Sequence, residues 1–197
     1  MFFDIDGTLV EQDNRIPQST IEAVEKLRTN GLQVVSATGR SPVHITKVAE
    51  TLKIDSYICC NGSIVRYKGD KLYSESIPQE TVYQLTKNAE EKNHPLIKFT
   101  ENNCYSNVEI DHEIKSTYKV LLDKMRVVQP DILQKENVYQ LYLYCNEKEQ
   151  QTYERNNRWY PYTVDINDKS INKSVGIERV LHHFGIHRKK RSHSVII

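Results

Sequence analysis

The chain has 197 residues, 38% of them hydrophobic and 27% charged, with 27 Lys and Arg against 26 Asp and Glu. That near-neutral, mixed composition describes a soluble globular protein of one large or two small domains; it argues against a disordered chain and against a strongly basic nucleic-acid binder. No apolar run approaches the roughly 18 residues of a membrane helix, and the first ten residues, which include Asp4 and Asp6, lack the basic-then-apolar pattern of a signal peptide. No membrane or nucleic-acid partner is expected, and the location expected is cytoplasmic. Cys59, Cys60, Cys104 and Cys145 show no Cys-x-x-Cys spacing. They are expected to be buried thiols rather than a disulfide framework or a zinc site.

Taken in order, the chain opens on Phe2-Phe3-Asp4-Ile5-Asp6-Gly7-Thr8-Leu9-Val10. Residues i and i+2 of a strand share a face, so an extended backbone through Asp6 would point both carboxylates the same way at a strand end. A cation or a shared proton relieves the repulsion between two such charges. A bare Asp-x-Asp-Gly can also be nothing more than a strand entering a turn. Ser19 or Thr20 is placed to cap a helix carrying Ile21, Val24 and Leu27, with Asn30-Gly31 as its stop. Residues 32–35 read as a buried strand leading into Ser36-Ala37-Thr38-Gly39-Arg40. Ser41-Pro42 then opens a second helix with Ile45, Val48, Ala49 and Leu52 buried. A third strand at residues 57–60 leads to Asn61-Gly62. Strand-helix-strand-helix-strand predicts a parallel, doubly wound α/β sheet.

Residues 62–76 read as a hairpin turning at Lys68-Gly69-Asp70. From residue 77 the pattern becomes helix (Val82, Leu85, Ala89), strand (96–100), helix (Ile110, Ile114, Tyr118, Leu121), strand (138–145), a short polar helix and a strand (160–166). Trp159-Tyr160-Pro161-Tyr162 and the neighbouring tyrosines suit either stacking on a sugar or packing within a sheet. Asn172-Lys173-Ser174-Val175-Gly176 opens a last helix with Ile177, Val180, Leu181 and Phe184, stopped by Gly185. A lysine at a helix start opposes the helix dipole, so Lys173 is expected to have a specific partner.

Together these motifs resemble those of the haloacid dehalogenase (HAD) superfamily. Asp4-Ile5-Asp6-Gly7-Thr8 resembles motif I. Thr38-Gly39-Arg40, with Cys60-Asn61-Gly62-Ser63 one strand later, resembles motif II of the Cof-type subgroup (subclass IIB). Asn172-Lys173 followed by Phe184-Gly185-Ile186 resembles motif III. The resemblance implies a Mg²⁺-dependent phosphatase of small phosphorylated metabolites, with sugar phosphates as the expected substrates. In it Asp4 is the nucleophile that becomes an aspartyl-phosphate, and Asp6 is the general acid/base. Thr38 holds the phosphoryl group, and Lys173 neutralises charge. Gly39, Arg40 and Asn61 are implied substrate or phosphate contacts. Asn61-Gly62 is equally a common hairpin signal. Asp4 and Asp6 are the implied Mg²⁺ ligands, Asp6 through its carbonyl. The implied organisation is a Rossmann-like core at 1–76, an inserted α/β cap at 77–166, the motif III helix at 167–186 and a basic tail at 187–197.

The resemblance breaks after Ile186. The expected Gly-Asp-x-x-Asn-Asp stretch of motif IV is replaced by His187-Arg188-Lys189-Lys190-Arg191 and a short end, so a truncated or frameshifted C-terminus is expected. Without the motif IV strand, the Asp4 strand would be an open apolar edge and a route to self-association. A catalytically inactive member or phosphate-binding module is therefore an alternative. A receiver-type signalling domain is a further one, opposed by the long insertion before Lys173 and by a nucleophile on the first strand.

Overall fold

The computed structural model describes residues 1–108, 125–127, 136–146, 156–160, 163–186 and 195–196. The helix read at residues 110–121, the polar helix after Cys145, Pro161, Tyr162 and the basic run at 188–191 lie outside the described residues. The chain forms two compact units, one of Met1–Ser74 with Ile171–Ile197 and the other of Glu75–Ser170. Sequence reading set these divisions at 76/77 and 166/167.

The first unit carries a six-stranded sheet. In chain order its described elements are β1 (Phe2–Phe3), α1 (Gln18–Thr29), β2 (Val35–Ala37), α2 (Pro42–Leu52), β3 (Tyr57–Cys59), a 3-10 turn at Cys60–Gly62, β4 (Ile64–Tyr67), β5 (Asp70–Ser74), and finally, past the insertion, Lys173–His183 and Val195–Ile196. β1, β2 and β3 are parallel neighbours, with Phe3 beside Ser36 and Ala37 beside Ile58. The parallel strands β1, β2 and β3 are joined through α1 and α2, and these two helices are in contact. The helix Lys173–His183 instead lays Val180 and Ile177 on the face formed by Val35, Ala37, Ile58 and Val65. Each fully buried Ile or Val side chain contributes about 1.5–3 kcal/mol to holding these layers together.

Several local expectations need correction. The second strand begins at Val35 rather than Leu32, which is 43% exposed; the ladder starts where the Val35 N–H donates to the Met1 carbonyl. α1 is preceded by Pro17, so neither Ser19 nor Thr20 caps it, and Val24 is its buried apolar contact. Ser41 does precede α2, but its side chain makes no capping bond. The hairpin turns through Lys68 and Gly69, both with positive φ (49° and 85°), the geometry a two-residue turn needs to match strand twist.

The largest correction concerns the edge beside Asp4. Val195–Ile196 pair in parallel with β1, Phe2 beside Val195 and Phe3 beside Ile196. β1 is therefore an interior strand with neighbours on both sides, and the expected open edge is not there.

The second unit holds its own six-stranded sheet and the helix α3 (Gln79–Glu91). Its strands are β6 (Leu96–Phe99), β7 (Cys104–Ser106), β8 (Met125–Val127), β9 (Gln140–Tyr144), β10 (Asn156–Tyr160) and β11 (Thr163–Ile166). The sheet order is β10-β11-β9-β6-β7-β8, antiparallel throughout except at β7 and β8. Leu96, Leu141, Leu143, Val164 and Ile166 cluster with Val82, Leu85 and Ala89 of α3. The alternate residues Ile97, Phe99, Tyr142 and Tyr144 cluster with Cys104 on the other face, as strand alternation requires. The single strand read at 160–166 is two strands of a hairpin. β7 and β8 were not read from sequence. We number Lys173–His183 α4 and Val195–Ile196 β12.

Among the described residues no helix is long and apolar enough to cross a membrane. All four cysteines are buried free thiols.

Candidate active site

The chain does not stay extended through Asp6. β1 stops at Phe3, and the Ile5 carbonyl accepts from the amides of Thr8, Leu9 and Val10, folding residues 5–10 into a compact turn. The two carboxylates consequently have different surroundings. Asp4 is partly buried, with the Ile5 amide donating to its Oδ1 at 2.8 Å. Asp6 leaves the turn with a side chain 61% exposed.

The parallel register sets the ends of β1 and β2 side by side, so the loop after Ala37 follows at the level of Asp4. Thr38 there is fully buried, and its Oγ1 accepts the Arg40 amide at 3.0 Å. Two further backbone bonds pin this loop to the next one: the Cys60 amide donates to the Arg40 carbonyl (2.9 Å) and the Asn61 amide to the Thr38 carbonyl (3.1 Å). The Asn61 side chain lies against Gly39; a Cβ at Gly39 would stand 3.0 Å from its Oδ1. The Asn61-Gly62 pair lies in the 3-10 turn that joins the antiparallel strands β3 and β4, so it is a hairpin connection as well as a neighbour of Gly39.

The Arg40 guanidinium reaches back to the first loop. Its Nε donates to Asp6 Oδ2 at 3.1 Å and its Nη2 to Asp6 Oδ1, a two-point grip of the kind that matches guanidinium to carboxylate. Nη2 also donates to Asn14 Oδ1. Asn14 was missed in the sequence; its left-handed backbone (φ 62°) belongs to no recognisable pattern.

The third component comes from α4. The Asn172 side chain caps the helix by accepting the Val175 amide at 3.1 Å. Lys173, the first helical residue, sends Nζ to Asp4 Oδ2 at 2.8 Å, which supplies the partner its unfavourable position demands. The helix start is seated by two glycines. Gly62 has φ 112°, and a Cβ there would lie 2.3 Å from the Asn172 carbonyl oxygen; a Cβ at Gly176 would lie 2.5 Å from Ile58 Cγ2. Asp4, Asp6, Thr38, Gly39, Arg40 and Asn61 thus sit on loops of one unit and Lys173 at the start of α4, with bonds joining Asp4 to Lys173, Asp6 to Arg40, and Thr38 to Arg40 and Asn61.

A divalent cation has limited support here. Asp4 and the Asp6 carbonyl are oxygen donors of the type a hard cation takes, but among the described residues no group of three His, Cys, Asp or Glu gathers to hold a metal. Mg²⁺ requires near-octahedral oxygen coordination, so these residues would have to share it with water and ligand oxygens.

Fold and site together define a Rossmann-like α/β core with an inserted α/β unit. Residues 1–191 match the haloacid dehalogenase-like hydrolases, and the chain belongs to that enzyme family. YkrA of Bacillus subtilis (strain 168), provisionally named a phosphatase, is 28% identical over 186 residues, covering 92% of this chain and 72% of that protein. The 5-amino-6-(5-phospho-D-ribitylamino)uracil phosphatase YitU of the same organism is 24% identical over 208 residues, covering 95% of this chain and 76% of its own. Among solved structures, the HAD subclass IIB sugar phosphatase BT4131 superposes with a TM-score of 0.82 at 33% identity, over 94% of this chain and 76% of that one. A hypothetical protein of Geobacillus kaustophilus HTA426 gives 0.85 at 32%, over 95% and 76%.

Proposed function

We propose that this chain hydrolyses phosphate monoesters of small metabolites, sugar phosphates above all, with Asp4 as nucleophile. The observation that carries the reading is the 2.8 Å contact between Lys173 Nζ and Asp4 Oδ2. A carboxylate can approach a phosphoryl group only if its charge is offset, and a fixed ammonium does this throughout the reaction. In the first half-reaction an Asp4 oxygen bonds to phosphorus as the ester P–O bond breaks, and Asp6 delivers a proton to the departing alkoxide. In the second, water attacks the aspartyl-phosphate, Asp6 takes its proton, and Asp4 and inorganic phosphate are released. Thr38, with its Oγ1 lone pair on the Arg40 amide, has a hydroxyl proton left to donate to a phosphoryl oxygen. Gly39, Arg40 and Asn61 supply further contacts.

Mg²⁺, which phosphatases of this family generally use, would be held by the Asp4 carboxylate and the Asp6 carbonyl and would set positive charge against the phosphoryl oxygens. The sugar-phosphate class rests on the subclass IIB neighbour, itself a sugar phosphatase.

The test is release of p-nitrophenol from p-nitrophenyl phosphate with and without Mg²⁺, with Asp4→Asn as control. Turnover abolished by the substitution supports the reading. A folded protein that binds phosphate without turning over would be a phosphate-binding member of the family instead.

A further inference from the structure

We propose that Arg40 and Asn14 form a parking site for Asp6, and that an arriving phosphoryl group releases Asp6 by taking its place on Arg40. The inference rests on the reading of this site as one for phosphate, and it concerns how the acid/base becomes available.

As the structure stands, both Asp6 oxygens accept from Arg40. A carboxylate held at both oxygens by a guanidinium has neither oxygen directed to a leaving group. The pair must open before Asp6 can act. The two partners are held to different degrees. Arg40 is anchored at three points: its amide on Thr38 Oγ1, its carbonyl under the Cys60 amide, and Nη2 on Asn14. Its side chain is only 14% exposed, whereas that of Asp6 is 61% exposed. Asp6 therefore swings while Arg40 stays. The turn behind Asp6 need not rearrange, because its backbone is closed independently by the three bonds to the Ile5 carbonyl.

The exchange is also favourable in direction. An ion pair with one partner well exposed is held weakly, so it orients Asp6 without trapping it. A phosphate offers the same fork geometry with more negative charge. A phosphate at Asp4 and Lys173 would lie two residues from the Asp6 anchor, and it would compete for the guanidinium. Arg40 would then reward the correct ligand twice, by binding it and by freeing Asp6. Arg40 binds the ligand itself in this scheme, and Asn14, which holds its Nη2, is a positioning residue.

The experiment is calorimetric titration of inorganic phosphate into the full chain and into Asp6→Asn, Arg40→Ala and the double variant. Asp6→Asn removes the competing charge and should tighten phosphate binding on the order of tenfold, or about 1.4 kcal/mol. Arg40→Ala should weaken binding, and Asp6→Asn should give no gain on that background. An equal gain on both backgrounds would mean simple removal of a negative charge, and it would overturn the proposal. No gain on the native background would overturn it as well. If Arg40→Ala does not fold, Arg40→Gln takes its place in the cycle. Because the readout is binding, absence of turnover leaves this inference standing and sinks only the hydrolase reading. Absence of phosphate binding in all four proteins would sink both.

Discussion

Lys173 and Asp4 are 169 positions apart in the chain and 2.8 Å apart in the fold, Nζ to Oδ2. Lys173→Met keeps the length of the side chain but removes its charge, leaving Asp4 uncompensated against a phosphoryl group. We expect kcat to fall by about 10²–10³-fold, with the circular dichroism spectrum unchanged and Lys173→Arg partly active. Unaltered turnover in Lys173→Met would remove this contact from the mechanism.

Gly62 sets the position of the α4 start. Alanine there must place a Cβ at 2.3 Å from a backbone oxygen, on a residue already at φ 112°. Neither the oxygen nor the helix behind it yields cheaply, so Gly62→Ala should cost about 1–3 kcal/mol and reduce turnover by shifting Lys173. Gly69→Ala is the matched control: its φ is also positive, but its Cβ would meet nothing within 4 Å. Its cost is confined to the backbone, about 1 kcal/mol, with activity retained. Thermal melts and initial rates on both variants separate the two effects.

Lys98, on β6, is 4% exposed, and burial lowers its ammonium pKa to about 8 against the nearby charge of Glu90, which raises it. Below about 8 the folded and unfolded chains are both protonated here, so the full cost of burying the cation is present. Between there and the ordinary value of 10.5 the unfolded chain holds more protons, and stability from this group rises with pH. Lys98→Met should raise stability at neutral pH by up to about 3 kcal/mol and flatten that rise. Urea melts at about pH 7 and about pH 10 would show it.

β12 shields β1 from other chains. Replacing Val195 and Ile196 with proline removes the backbone donors of a parallel partner. The protein should then associate through the freed side of β1, giving a concentration-dependent mass by light scattering. A variant that stays monomeric would show that this edge is protected in some other way.

How much of this was readable beforehand depended on what each residue's signal comes from. Asp4, Thr38 and Lys173 occupy places fixed by short motifs at element ends, and the chain order of those motifs is enough to bring them near one another. The grip of Arg40 on Asp6 was not legible, because reading the pair as strand neighbours assumes an extended backbone that the Ile5 carbonyl folds away. Asn14 lies in a polar loop where many residues could serve, and only the folded loop selects it. β12 has two residues after a highly basic stretch, too short for an alternating pattern to register. The hairpin at Lys68-Gly69 was found because its turn chemistry is local, whereas β7 and β8 depend on pairing across a sheet.

The insertion of Glu75–Ser170 between β5 and α4 has a consequence in time. A ribosome adding about 5–20 residues per second spends roughly 5–20 s on that stretch after Asp4, Thr38 and Asn61 have emerged. Throughout that interval the nascent core has neither Lys173 to meet Asp4 nor a partner for the far side of β1. The Asp4 strand is made before the insertion and completed only after it, so its aggregation hazard is concentrated in the seconds before β12 emerges.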